Sequence, residues 1–203
     1  MLLVVLRECA RGYHFRVQQP TRWKPSVTVA AIIAREGRYL LVEEETQEGL
    51  RLNNPAGHLE LGESLVEAVA REALEETGRR FVPRALVGAY LSRFRRPSPV
   101  ARTGAEDVTF LRFAFDGEVG EPEAGRALDR EIVRVVWMTP DEVRASAERH
   151  RSPLVLACLE DHLAGRRWPL ALLTAHPSLY APPTAATPPP PRRRAGTRPA
   201  RRS

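Results

Sequence analysis

The stretch from Gly57 to Gly78 has the sequence GHLELGESLVEAVAREALEETG and contains the clearest helix signal of the chain. Ser64 and Glu67, three residues apart, form a capping box at the start of this helix. Gly78 ends it, because glycine accepts the left-handed conformation that commonly terminates a helix. Between these signals, apolar or small residues recur at spacings of three and four, which predicts one buried face: Val66, Val69, Ala70, Ala73, Leu74 and Thr77.

Three glutamates of this helix, Glu72, Glu75 and Glu76, fall within an arc of about 100° on the side away from the apolar face. Like charges four residues apart cost about 0.2–0.5 kcal/mol per pair. Negative charge is also unfavourable in the last turn, where Glu75 and Glu76 lie. A solvated acidic face is one interpretation of this cluster. The other is a Mg²⁺ site, because a hard divalent cation takes oxygen ligands and reverses the sign of both effects.

The residues before this helix predict a β-hairpin. SVTVAAIIA (26–34) and RYLLVEE (38–44) are rich in β-branched and apolar residues, and a turn signal separates them. A short extended piece, LRLNN (50–54), runs into Pro55-Ala56-Gly57, which predicts a loop.

After the helix, further strands and two more helices are predicted. The stretch from Arg93 to Ala105, rich in Arg and Pro, predicts a long loop. Thr139-Pro140 with Glu142 predicts a second capped helix, and Ser152-Pro153 opens a last helix. The predicted strands are RALVGAYL (84–91), VTFLRFAF (108–115) and EIVRVVWM (131–138). Strands on both sides of the first helix, with helices after them, indicate an α/β fold with a mixed sheet.

Composition bounds the class of protein. The 203 residues suffice for one domain with extensions, and 43% of them are apolar. No apolar run approaches the eighteen or so residues that cross a bilayer, which excludes an integral membrane protein with spanning helices. The opening MLLVVL is a poor secretory signal. Two cysteines form neither a disulfide framework nor a zinc set, which indicates a cytoplasmic location.

The net charge of +6 resides in the C-terminal end. Residues 181–203 hold six arginines, seven prolines and no acidic residue, so residues 1–180 are formally neutral. Such a tail is expected to be disordered and solvated. It is either an appendage without a partner or a sequence-independent contact for nucleic acid or acidic lipid, and no RNA-binding motif supports the second. The predicted division is an extension (1–23), a domain (24–176) and a Pro/Arg-rich tail (177–203).

The spacing within the Gly57–Gly78 stretch is that of a known motif. A glycine, five residues, Glu, seven residues, Arg-Glu, two residues, Glu-Glu, one residue and Gly occur in this order. The positions are filled by Gly57, Glu63, Arg71, Glu72, Glu75, Glu76 and Gly78. This resembles the signature of the Nudix hydrolases. Over residues 23–172 the chain is also similar to the NudJ subgroup, whose bacterial member hydrolyses nucleoside and thiamine-related pyrophosphates.

The resemblance implies a fold and an activity. The fold is a Nudix α/β/α sandwich with a mixed sheet and a loop–helix–loop catalytic box. The implied activity is Mg²⁺-dependent hydrolysis, with Mn²⁺ as an alternative ion, of nucleoside tri- or diphosphates or thiamine-type diphosphates by metal-activated water. The implied ligands are the Gly57 carbonyl and the carboxylates of Glu72, Glu75 and Glu76. A Nudix-fold binding module without catalysis is the alternative, and we expect a monomer or homodimer.

Residues around the box receive roles by the same resemblance. Arg71 is expected to hold Glu75 in place and so to assist catalysis. Glu63 is expected to fix the loop–helix junction, and is also a candidate substrate-binding residue. Arg112 binds a substrate phosphate or forms a salt bridge to the box. Glu131 is a candidate general base or extra ligand, with a surface residue as the alternative.

Three aromatic residues, Tyr90, Phe94 and Trp137, are candidates for stacking on a substrate ring, and core packing is the alternative for each. His58 follows Gly57, so it either faces the metal site or makes a loop contact.

Overall fold

The computed structural model describes residues 23–97 and 104–182. The elements in chain order are β1 (Ser26–Arg35), β2 (Arg38–Thr46), β3 (Gly49–Asn53), β4 (Ala56–His58), α1 (Leu65–Thr77), β5 (Arg79–Pro97), β6 (Ala105–Pro122), β7 (Ile132–Met138), α2 (Pro140–Ala145), α3 (Leu154–Leu163) and β8 (Trp168–Pro169). Short 3₁₀ helices cover Ala147–Arg149, Leu170–Leu172 and Pro177–Tyr180. The predicted extension up to residue 22 and the tail from residue 183 lie outside the described residues.

Strand β1 is the centre of a mixed sheet. Its Ser26–Ile32 segment pairs in parallel with Phe110–Asp116 of β6. The same strand pairs antiparallel with β4 and, at its end, with β2. The strand order is β3-β2-β1-β6-β5-β8, with β4 also on β1 and β7 on β2. The predicted mixed sheet is confirmed.

Helices cover both faces of this sheet. Alternate side chains of a strand point to opposite faces, and in β1 both sets are apolar because both faces are buried. Val29, Ala31 and Ile33 belong to the core that contains the buried face of α1. Ala30 and Ile32 belong to the core that contains residues of α2 and α3. The predicted α/β/α sandwich is therefore confirmed.

Local sequence signals are realised where they were expected. The β1–β2 turn has positive φ at Glu36 (51°) and Gly37 (74°), which suits the twist of a two-residue hairpin. Ser64 and Glu67 form both hydrogen bonds of the capping box, and Gly78 ends α1 with φ of 66°. The capping box predicted for α2 is also present. Among the helices of the described ranges, none is long and apolar enough to cross a membrane.

The predicted long loop from Arg93 to Ala105 is wrong. Strands β5 and β6 continue as an antiparallel pair, so only residues 98–104 lie between them. The Phe94 ring stacks on Phe110, with centroids 5.2 Å apart. Such cross-strand contacts depend on the partner strand, and the composition of the segment alone does not reveal them.

The predicted loop at Pro55-Ala56-Gly57 is also shorter than expected. Ala56–His58 form strand β4, which pairs antiparallel with the Thr28–Ala30 segment of β1. A three-residue strand has no period of its own, so only pairing with β1 defines it.

A partly buried polar network fastens the end of α3 to the sheet. The Tyr39 hydroxyl and His162 Nδ1 are 2.7 Å apart, and His162 Nε2 lies 3.1 Å from Asp116 Oδ1. Arg167 completes the network with an ion pair to Asp116. Burial lowers the pKa of the His162 imidazole, and the positive charge of Arg167 also lowers it. The nearby Asp116 carboxylate has the opposite effect, which is smaller than that of burial.

This network predicts an acid-sensitive stability. The folded chain disfavours protonated His162, so the unfolded state binds the proton more strongly. The contribution to the free energy of unfolding is present above pH 6.5 and is lost as the pH falls, by at most about 1.4 kcal/mol per pH unit. Urea unfolding between pH 7.5 and 5 measures it. The His162→Gln variant, which stays neutral, should show a shallower pH dependence, and equal slopes would contradict the prediction.

Candidate active site

A polar cavity of about 400 Å³ lies between α1, the sheet and the segment before β7. We call it the carboxylate pocket. It contains all the residues predicted to be catalytic or to bind metal, together with Arg112, but not Glu63 or the three aromatic candidates. Its lining consists of Thr28, Glu44, Asn53, Ala56, Gly57, His58, Glu60, Arg71, Glu72, Glu75, Glu76, Phe110, Arg112, Asp129, Glu131 and Arg151.

Helix α1 places two of its three clustered glutamates inside the protein. The helix packs against β1, β4 and β5, and only 8% of Glu72 and 7% of Glu76 is exposed. The Glu76 carboxylate accepts a hydrogen bond from the Ala56 amide at 2.8 Å. The Glu75 side chain is 34% exposed. A solvated acidic face is therefore the wrong interpretation for Glu72 and Glu76.

Arg71 connects the carboxylates. Its Nη1 donates to Glu72 Oε1 at 2.8 Å and to Glu75 Oε2 at 2.9 Å. Its Nε and Nη2 donate to the two oxygens of Glu63 at 3.0 and 2.8 Å, and Nη2 also donates to the His58 carbonyl. The guanidinium thus joins both ends of the motif in one network.

Glu63 serves this network from outside the pocket. Besides its two hydrogen bonds from Arg71, its carboxylate accepts one from the Glu60 amide at 2.8 Å. These bonds lower the pKa of Glu63, with Arg71 as the main cause. The side chain therefore holds the loop before α1, and the structure gives no support to the predicted substrate contact.

The pocket concentrates negative charge in a buried place. Burial raises the pKa of Glu76 to about 9, and the nearby carboxylates of Glu72, Glu44 and Asp129 act in the same direction. Burial also raises the pKa of Glu72, against the opposing effect of Arg71. Crowded, buried carboxylates are costly when ionised unless a positive charge compensates them.

The residues fit a hard divalent cation by their chemistry. The pocket offers carboxylate oxygens, which Mg²⁺ prefers. A Cβ at Gly57 would lie 2.1 Å from Glu72 Oε1, so only glycine lets this carboxylate reach the backbone of β4. In residues 23–97 and 104–182, no three His, Cys, Asp or Glu side chains already stand in a ligating arrangement. Arg71 instead forms ion pairs with Glu72 and Glu75, and a metal ion would have to compete with Arg71 for these two carboxylates.

The wall opposite α1 contains buried polar atoms with unused hydrogen-bonding capacity. Within the described part of the chain, no hydrogen-bond partner exists for Thr28 Oγ1, Glu44 Oε1, Asn53 Oδ1, or Nε and Nη1 of Arg112. Each of these residues is at least nine-tenths buried. Glu44 Oε1 is the exception in one respect, because it forms an ion pair with Arg151 Nε at 3.3 Å. Because unpaired buried polar groups are costly, such a wall points to a ligand that satisfies them.

Arg112 reaches this wall from β6, beside Thr28 of β1. Burial lowers the pKa of its guanidinium. The predicted alternative, a salt bridge to the box, is absent from the described residues. Two donors of Arg112 therefore stay available to a ligand.

Sequence reasoning missed Glu44, Asn53, Asp129 and Arg151. Asp129 lies two residues before Glu131, and both are exposed at the rim of the pocket. The Glu131 carbonyl accepts a hydrogen bond from the Glu45 amide at 2.8 Å, which fixes the segment. Of these four residues, only Asp129 could have been found from the sequence, because it lies two residues from the candidate Glu131.

The candidate aromatic residues separate into two groups. Tyr90 packs against the core and donates to Asp161 at 3.0 Å, and Trp137 packs against the other core. Core packing is the correct interpretation for both. Phe94 instead stacks on Phe110 at the margin of the carboxylate pocket, and His58 lines that pocket 6.0 Å from the Phe110 ring.

Comparison with known proteins agrees with this architecture. The model of the NUDIX domain matches residues 22–158. Phosphatase NudJ of Escherichia coli K12 is 38% identical over 152 residues, covering 74% of this chain and 92% of that protein. A NUDIX hydrolase structure from Nitrosomonas europaea is 47% identical with a TM-score of 0.68, covering 75% of this chain and 98% of that one.

A more distant structure supports the fold alone. It is a MutT NUDIX hydrolase from Burkholderia pseudomallei, 20% identical with a TM-score of 0.53, and the match covers 68% of this chain and 98% of that one. The predicted class of enzyme, a hydrolase acting on phosphoanhydride bonds, is confirmed by the domain match and the nearer relatives. The chain belongs to the NUDIX domain family.

Proposed function

We propose that the chain uses Mg²⁺, with Mn²⁺ as a substitute, to hydrolyse the pyrophosphate bond of nucleoside tri- or diphosphates or thiamine-type diphosphates. The observation that carries this proposal is the carboxylate pocket, which is lined by buried Glu72 and Glu76 and by buried Arg112 with two unpaired donors. Negative and positive groups in one cavity suit a metal ion and a phosphate chain together. The similarity to Phosphatase NudJ supports the substrate class.

The metal would be held by the Gly57 carbonyl and the carboxylates of Glu72, Glu75 and Glu76. Such an ion, when bound, supplies charge neutralisation on the phosphate chain and lowers the pKa of a water molecule. Arg71 orients Glu72 and Glu75 through its two hydrogen bonds, a supporting role that typically affects metal affinity or activity by 10- to 100-fold.

Arg112 binds a substrate phosphate in this proposal. Its Nε and Nη1 have no hydrogen-bond partner among the described residues, and hydrogen bonds from a guanidinium to phosphate oxygens are strong because both groups are charged. The desolvation of the guanidinium strengthens its interaction with an anion. Arg151, on the same wall, adds a second positive charge.

Glu131 accepts the proton of the attacking water in this proposal. Its exposed position at the rim keeps a carboxylate close to both the pocket and the solvent to which the proton passes. A role as an additional ligand is the alternative.

The competing function is a binding module without catalysis. All carboxylates of the motif are retained, which favours the enzyme. A cytoplasmic location and a monomeric or homodimeric state stay predictions from the sequence. The same holds for the tail, which is either a solvated appendage or a contact for nucleic acid or acidic lipid.

A substrate panel tests the proposal. The purified full chain is assayed with nucleoside tri- and diphosphates and thiamine diphosphate, and the release of phosphate or pyrophosphate is measured. We expect turnover with Mg²⁺ or Mn²⁺, and its loss after treatment with EDTA, because the carboxylates need the cation. Restoration by added Mg²⁺ is the control. Binding of these compounds without turnover under any metal condition would support the binding module instead.

A further inference from the structure

A second, smaller cavity adjoins the carboxylate pocket. It measures about 90 Å³ and is lined by Phe94, Phe110, Arg112, Arg151, Ser152 and Leu154. We call it the aromatic pocket. Phe110 and the two arginines line both cavities. The two spaces therefore meet at a pair of guanidinium groups.

A row of rings leads from one cavity to the other. His58 lies in the carboxylate pocket, its ring 6.0 Å from that of Phe110. Phe110 and Phe94 stack nearly parallel, with an interplanar angle of 9°. They form a stacked apolar pair, and an aromatic ring of a ligand can extend such a stack favourably.

The junction between the two cavities contains positively charged side chains. Arg112 is 8% exposed, and its Nε and Nη1 have no hydrogen-bond partner among the described residues. A phosphate at this junction would satisfy them. A ligand with a phosphate there extends toward the carboxylates in one direction and toward the rings in the other.

We propose that the aromatic pocket binds the ring of the substrate's organic group and selects single-ring compounds, such as pyrimidine nucleotides, over purine nucleotides. This inference rests on the proposed function. The volume of about 90 Å³ is far below the 300–1,000 Å³ typical of sites for larger ligands. Leu154, at the start of α3, also lines this small cavity, so we expect the second ring of a purine to meet this side chain.

The test compares compounds that differ only in the ring. CDP and ADP share the ribose and the diphosphate, and tripolyphosphate has no ring. We expect the wild-type chain to hydrolyse CDP with a kcat/KM about tenfold above that for ADP. Phe94→Ala should lower kcat/KM for CDP by about tenfold and leave tripolyphosphate unchanged, because only the stacking surface is lost. Leu154→Ala should raise kcat/KM for ADP relative to kcat/KM for CDP.

Two controls accompany these variants. Leu91→Ala changes an exposed residue of the same strand outside both cavities and should leave all three rates unchanged. Phe94→Leu keeps an apolar side chain and carries the test if the alanine variant unfolds, as judged by circular dichroism and thermal melting.

The outcomes separate this inference from the proposed function. If the wild-type chain hydrolyses none of the compounds with Mg²⁺ or Mn²⁺, the proposed function fails. If it hydrolyses them, two results would overturn the inference. In the first, the Phe94 variants lower kcat/KM for CDP and for tripolyphosphate equally. In the second, kcat/KM for CDP equals that for ADP both in the wild type and in Leu154→Ala.

Discussion

Replacement of Glu75 by glutamine is expected to lower kcat by about 10³-fold while the fold is retained. In the proposed site Glu75 is an anionic metal ligand, and its loss would remove several kcal/mol of charge stabilisation at the transition state. The Glu75 side chain is 34% exposed, and its one described ion pair is with Arg71 at 2.9 Å. Glutamine keeps the size of the side chain, so packing is unaffected.

Two measurements distinguish this effect from damage to the structure. Steady-state kinetics on the best substrate of the panel give kcat, and calorimetric titration with Mg²⁺ gives metal affinity, which should fall as well. Glu118→Gln is the matched control, because Glu118 lies on β6 in an exposed pair with Arg84 outside the pocket. A Glu75→Gln chain that turns over as fast as the wild type would show that this carboxylate is not a ligand.

Gly57→Ala is expected to lower kcat/KM by about 10²-fold through geometry alone. A Cβ at this position would lie 2.1 Å from Glu72 Oε1 and 2.2 Å from Glu72 Oε2, so the carboxylate must leave its place beside β4. A displacement of about 1 Å in a catalytic site typically costs a factor of this size. The backbone of Gly57 does not have a positive φ, so the substitution introduces no conformational strain there.

Gly120→Ala is the control for this substitution. A Cβ at Gly120 meets only the Arg80 carbonyl, at 3.8 Å, an ordinary van der Waals distance. Both variants are compared by kinetics and by urea unfolding. We expect Gly120→Ala to match the wild type in activity. If Gly57→Ala also retains full activity, the Glu72 carboxylate is not required at the position that the structure assigns to it.

The elements with strong local signals were predictable. Helix α1 has a capping box and a glycine stop within fifteen residues, and both are realised. The predicted buried face is only partly correct, because Val69, Ala73 and Thr77 are buried whereas Val66, Ala70 and Leu74 are half-buried. Glu72 and Glu76 lie on the buried side and not on the side away from it. The β1–β2 hairpin follows from two apolar runs and a short turn. Hydrogen bonds and conformational preferences over a few residues determine these features, so the nearby sequence contains the information.

The extent of β5 and β6 was not predictable in this way. Arg93–Pro97 lacks a clear alternation of apolar and polar residues, and its strand exists because a partner lies beside it. The short strand β4 has the same cause. Strand pairing joins residues far apart in sequence, so composition within a segment underestimates it.

The residues of the candidate site show the same difference between local and long-range information. Helix spacing alone placed the three glutamates of α1 in one cluster, and the resemblance to the Nudix signature implied that Gly57 and Arg71 belong to the same site. The structure then added Glu44, Asn53 and Arg151, which arrive from β2, β3 and the segment before α3. It also removed Glu63 from the pocket. Separate elements converge only after the sheet has formed, so no spacing along the chain predicts their meeting.

The sequence by itself therefore determined the helix, its caps and the chemistry of the carboxylates on it. Only the tertiary structure decided that Glu72 and Glu76 are buried, that Arg112 lines the same cavity with unpaired donors, and that an aromatic pocket adjoins it. The physical reason is the distance along the chain over which each kind of interaction acts. Caps and helix spacing act over one or two turns, whereas burial, desolvation and the shape of a cavity depend on side chains from several strands and helices packed together.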